Sequence, residues 1–123
     1  MWIFTKYGFF SAVCARKGDG RSGQPVDTDR IMVRARNVDH LKSLKRRFPQ
    51  TIGDSEILIT GSADYGSRIF VARTEWSKIV AELAAETDYD NFKSEVSRTM
   101  GTSDSEYYGA LHNVWDVLHR YQN

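Results

Sequence analysis

The chain has 123 residues, 41% of them hydrophobic and 27% charged, with a net charge of +1. A chain of this length buries roughly two thirds of its unfolded surface, so one domain over residues 1–123 needs no staple. Its one cysteine, Cys14, excludes an intramolecular disulfide and a cysteine-rich zinc site, and points to a reducing, cytoplasmic location.

Taken in order, residues 1–15 are aromatic and β-branched and are interrupted by Gly8, which predicts a strand with a bend or two short strands. From Lys17 to Asp29 the glycines, Asp19, Ser22 and Pro25 predict a mobile loop carrying cations. Residues 30–36 alternate: Ile31, Val33 and Ala35 point one way, Met32, Arg34 and Arg36 the other, as a strand with one buried face requires. Asn37 or Asp39 is placed to cap a helix to about Phe48, with Val38, Leu41, Leu44 and Phe48 as its apolar stripe and Pro49 as its stop.

Two further strands are expected at Glu56–Thr60 and Ser67–Arg73, joined as a hairpin through residues 61–66. A helix follows from Thr74 to about Glu86 with Trp76, Ile79, Val80 and Leu83 on one side. A short helix is expected over residues 88–98 around Phe92 and Val96. After a break at residues 101–104, a last helix runs to about Tyr121 with Tyr108, Leu111, Trp115 and Leu118 turned inward. The expectation is an α+β fold, a four-stranded mostly antiparallel sheet with three to four helices packed mainly on one face. No apolar run approaches the roughly 20 residues of a membrane-crossing helix, and the start Met1, Trp2, Ile3, Phe4, Thr5, Lys6 lacks the form of a secretory signal.

The near-neutral total hides a split in charge. Residues 1–50 hold eleven Lys and Arg against four Asp and Glu; residues 51–123 hold six against twelve. Such a distribution suits an electrostatic partner, outside the molecule or in a second copy. The sheet face bearing Arg34 and Arg36 also carries Trp2, Phe4 and Phe70 if the strands are so ordered. Guanidinium groups beside rings are what single-stranded nucleic acid uses, phosphates meeting the cations and bases the rings. The alternative is that the C-terminal helix or a partner covers this face and makes those rings core.

Lys42, Lys45, Arg46 and Arg47 extend the positive surface along the first helix, or serve as a solvated face that complements the helix dipole. Arg16 and Lys17, with the loop cation Arg21, are placed to close over a phosphate chain. His112, Asp116 and His119 fall at i, i+4 and i+7, within one sector of a helix, and two imidazoles with a carboxylate can hold a divalent metal. Glu82, Glu86, Asp88, Asp90 and Glu95 form an acidic neighbourhood whose spacing fixes no geometry. Cys14 has no histidine placed beside it and reads as a structural thiol. Gly18, Gly20 and Gly23 precede a strand rather than a helix, unlike a phosphate-binding loop.

Several segments together resemble a group of small uncharacterised bacterial proteins: Trp2 to Thr5, Gly8 to Ser11, Val33 to Arg36, Ala63 to Tyr65, and Asp88 to Lys93. The resemblance runs nearly end to end and brings no activity or ligand with it. It singles out Asp64, Tyr65, Tyr89, Asn91, Phe92 and Lys93 as a shared surface or packing knot. No catalytic motif occurs and no cofactor is expected. The sequence therefore points to a binding protein for nucleic acid or another acidic partner; the alternatives are an interaction module or homo-oligomer with complementary charged halves, and a metal-dependent hydrolase.

Overall fold

A computed structural model describes residues 1–101 and 104–123. The chain forms two compact units, Met1–Thr87 and Asp88–Asn123. The first contains β1 (Trp2–Thr5), β2 (Gly8–Arg16), β3 (Val26–Ala35), α1 (Val38–Arg47), α2 (Pro49–Ile52), β4 (Leu58–Ile59), β5 (Ser67–Ala72) and α3 (Arg73–Ala85). The second contains α4 (Phe92–Met100) and α5 (Ser105–His119). The fold is α+β.

The strands form one five-stranded sheet in the order β1-β2-β3-β5-β4, every neighbouring pair antiparallel. The fifth strand comes from residues 1–15, where the chain turns back on itself. Thr5 Oγ1 donates to the Gly8 carbonyl at 2.9 Å and accepts from the Tyr7 amide, closing a two-residue turn. Gly8 is required there. Its φ is +142°, and a Cβ at this position would lie 2.2 Å from Cγ of His40, whose Nδ1 accepts the Phe9 amide. The hairpin is thereby pinned to α1.

α1 and α3 lie on one face of the sheet. Phe10, Ala12, Ile31, Val33, Ala35, Ile69 and Val71 from the strands meet Leu41, Leu44, Trp76 and Ile79 from the helices. Phe10, Val33, Leu41, Leu44, Ile69 and Ile79 are fully buried; a fully buried side chain of this size contributes about 1.5–3 kcal/mol. The alternation read over residues 31–35 is the one observed, and Asn37 caps α1 by accepting the Asp39 amide at 2.9 Å.

Several boundaries differ from expectation, among them the short helix expected over residues 88–98, which is α4 at Phe92–Met100, and Arg73, which opens α3 rather than ending β5. Ordered strand begins at Val26, so the loop is confined to residues 17–25, and the strand at 56–60 shortens to Leu58–Ile59. Pro49 ends α1 but also opens the one-turn α2, because its fixed φ and missing N–H suit a first helical position.

In the second unit, α4 and α5 are capped by Asn91 and Asp104, whose side chains accept the Ser94 and Tyr107 amides. The break expected at residues 101–104 includes 102 and 103, which lie outside the described residues. α5 corrects the inward stripe. Leu111 is buried, but so is Tyr107 in place of Tyr108, while Tyr108, Trp115 and Leu118 are 42%, 52% and 60% exposed. Among the described residues no helix is long and apolar enough to cross a membrane.

Candidate functional site

Because α1 and α3 occupy one face, the alternate residues of each strand in the first unit define the other. Register sets them in rows. The middle row runs Trp2, Ser11, Arg34, Arg68, Leu58 across all five strands. On one side of it lie Phe4 and Phe9; on the other lie Val13, Met32 and Phe70. Phe4, Phe9, Val13, Met32, Arg34, Arg68 and Phe70 are half-buried and Ser11 is buried, while Trp2 and Leu58 are 70% and 39% exposed, so the row reaches solvent at its two ends.

The rings form a connected surface. Phe4 stacks on Phe9 with centroids 4.6 Å apart, Trp2 meets Phe9 edge-on at 5.9 Å, and Phe9 lies 6.4 Å from Tyr65. Tyr65 is buried and takes two cations: the guanidinium groups of Arg34 and Arg36 lie 4.5 and 4.4 Å from its ring centroid. Arg30 covers Phe70 at 4.5 Å. Guanidinium groups stack readily on aromatic rings, which holds them extended over the sheet rather than free in water.

Arg34 and Arg68 stand directly opposite each other on neighbouring strands. Like charges so placed repel, and among the described residues no carboxylate pairs with either. Arg34 donates to Ser11 Oγ at 2.8 Å; Arg68 donates to the Tyr65 carbonyl at 3.2 Å and approaches Met32 Sδ at 3.7 Å. The Nε of each is buried without a hydrogen-bond partner. Two cations held by neutral acceptors keep their full charge for an oxyanion. Arg36 differs. It pairs with Asp64 at 2.9 Å, and that hydrogen bond raises its already high pKa.

The remaining cations are placed elsewhere. α1 packs on the core side of the sheet, so the basic helix does not extend the Arg34 surface. There Lys42 pairs with Asp39, Arg46 donates to Ser43, and Arg47 binds Glu86 over the Phe48 ring; Lys45 is half-buried. Glu86 also accepts from Tyr7 at 2.9 Å and lies 3.9 Å from Lys6. Burial first, then Glu86, push the Tyr7 phenol above its ordinary pKa. Arg16 donates to the Gln24 carbonyl, Lys17 is exposed, and Arg21 pairs with Asp19.

The metal set is not assembled. Among the described residues no three His, Cys, Asp or Glu approach closely enough to share an ion. Trp115 lies between the imidazoles instead, 6.2 Å from His112 and 5.0 Å from His119; Lys93 Nζ lies 3.1 Å from His112 Nδ1, and Asp116 pairs with Arg120. A helical sector brings residues near one another without aiming their lone pairs at one point. Two of the acidic residues are engaged by cations: Glu86 as above, and Glu95, 4% exposed, holding Arg98 at 2.6 and 3.0 Å.

Arg68 and Phe9 escaped the sequence reading as site residues, and Tyr65 entered it only through the resemblance, as part of a shared surface or packing knot. Arg68 and Phe70 alternate with Ile69 and Val71, so the twofold period of β5 could have found Arg68. Comparison with protein-family models, curated proteins and solved structures finds no match for this chain.

Proposed function

We propose that the first unit is a non-catalytic binding module for single-stranded nucleic acid. The carrying observation is the opposed Arg34–Arg68 pair, without a carboxylate partner, in a row flanked by rings. A phosphate on each of the two guanidinium groups would relieve their repulsion. Bases on either side would meet Trp2 and Phe9 in one direction and Phe70 in the other. Three strand spacings separate β1 from β5, roughly 14 Å. Nucleic-acid-binding sheets of similar width seat two or three bases, each stacking contact worth about 1–3 kcal/mol.

The test is fluorescence anisotropy of a labelled single-stranded oligonucleotide titrated with the full chain at low ionic strength. Arg34→Gln together with Arg68→Gln should weaken binding about tenfold or more, and a duplex of the same sequence should bind less tightly, its bases being already stacked. No binding to the single strand at low salt would refute the reading.

A second reading, self-association, is favoured by a different observation. Trp115, Val117, Leu118 and Tyr121 expose apolar surface within seven residues at the end of the chain, and such clustering is characteristic of interaction sites. Sedimentation showing one monomeric species at high protein concentration and at every salt concentration would remove it.

A further inference from the structure

Arg36 follows β3 by one residue and Arg34 by two, so both side chains leave the same side of the strand. The Arg36 guanidinium carbon lies 4.4 Å from the centroid of the Tyr65 ring, close enough for the group to rest on it. Its Nη1 donates to both the carbonyl and Oδ1 of Asp64, each at 2.9 Å. One face is thus against a ring, one edge is held, and the charge is matched by a carboxylate. The side chain is nevertheless 56% exposed, which leaves the face opposite Tyr65 to solvent.

The support beneath it is firm. Tyr65 is buried, its carbonyl accepts from Arg68, and its ring also carries Arg34 and lies 6.4 Å from Phe9. The Thr60 amide donates to the Gly66 carbonyl at 2.9 Å and closes the turn that bears Asp64 and Tyr65. Arg30 over Phe70 has no such anchor, since among the described residues no hydrogen bond fixes its guanidinium. With its charge matched and its donors shared with Asp64, Arg36 is poorly suited to a phosphate. It suits a base. A guanidinium is planar, delocalised and weakly hydrated, so it stacks on π surfaces, and unstacked bases are seated on arginine planes as well as on rings.

We propose that Arg36 is a stacking plate for a nucleobase, laid on Tyr65 and held at its edge by Asp64, and that it takes a base where Arg34 and Arg68 take phosphates. This rests on the reading of the sheet face as a single-strand surface. It narrows the ligand class from polyanions in general to strands whose bases are turned out of their own stack, because a chain of phosphates without bases leaves the plate empty.

The experiment titrates the full chain, unaltered and as Arg36→Lys, against two labelled single strands of equal length and charge at the same low ionic strength, one of mixed sequence and one abasic throughout. Lysine keeps the charge opposite Asp64 but has no plane. Arg36→Lys should weaken binding of the base-bearing strand about fivefold or more and change binding of the abasic strand by less than about twofold, a difference that a double cycle over protein and ligand isolates. The melting temperature should stay as it was, the Arg36–Asp64 pair being exposed. A second readout follows the Arg36 Nε–H proton by magnetic resonance. Saturation of the unaltered chain with the base-bearing strand should move it upfield, because the ring current of a stacked base shields it. Equal losses on the two strands, no loss on the base-bearing strand, or an unmoved Arg36 resonance at saturation would overturn the proposal and leave the single-strand reading standing. Failure of the unaltered chain to bind the base-bearing strand would remove that reading and the proposal with it.

Discussion

Salt dependence is the sharpest consequence of the Arg34–Arg68 row, because it counts cations rather than affinity. Arg30, Arg34 and Arg68 have no carboxylate partner among the described residues, whereas Arg36 is paired with Asp64. Each phosphate neutralised on a single strand contributes about −0.7 to the slope of log affinity against log salt, so three contacts give about −2. Raising salt from about 50 to 200 mM should then cost about 20-fold in affinity. Arg34→Gln removes one contact, moving the slope to about −1.4 and the loss to about sevenfold.

Asp64 supplies the converse test. Asp64→Asn frees Arg36 for phosphate and should steepen the slope by about −0.7 while tightening binding at low salt. The Arg36–Asp64 pair is exposed on both sides, so its removal costs stability little, about 0–1 kcal/mol. Anisotropy titrations at five salt concentrations, with a melting curve for each variant, suffice. A slope unmoved by Arg34→Gln in a folded variant, or flattened by Asp64→Asn, would refute the assignment of these cations to phosphate.

Two predictions concern the frame that holds the face in place. Gly8→Ala forces a Cβ into the His40 ring at a backbone conformation that disfavours side chains. It should destabilise the fold by about 3 kcal/mol, lowering the melting temperature by about 10 °C or more; adding His40→Ala should recover part of the loss, which a thermodynamic cycle would show. Tyr7 has a folded-state pKa above its unfolded value of 10.0. The stability tied to its neutral phenol is therefore intact below pH 10 and is lost as pH rises through the higher folded value. Tyr7→Phe should lower stability by about 1 kcal/mol near neutrality and flatten the alkaline decline in melting temperature, whereas parallel declines in the two proteins would contradict the Glu86 contact.

The residues that point toward or away from the core were legible in the sequence wherever a periodic pattern was bound to a buried face. Over residues 31–35 only alternation places Ile31, Val33 and Ala35 beneath helices, and in α1 only the helical repeat gathers Leu41 and Leu44. The outward position of Arg34 followed from the same constraint. α5 shows the limit of that rule. Its apolar residues mark a stripe, but burial depends on how far neighbouring elements extend along the helix, and Trp115 and Leu118 remain exposed.

Tertiary structure alone decided which groups meet. Trp2, Ser11, Arg34 and Arg68 are separated by up to 66 positions and share a row because of strand order and register, and non-local pairing leaves no local trace in sequence. Packing α1 on the core face likewise separated Lys42, Lys45, Arg46 and Arg47 from Arg34. Composition determined that cations and rings were abundant; backbone hydrogen bonding between distant strands determined which of them stand together without a carboxylate to neutralise them.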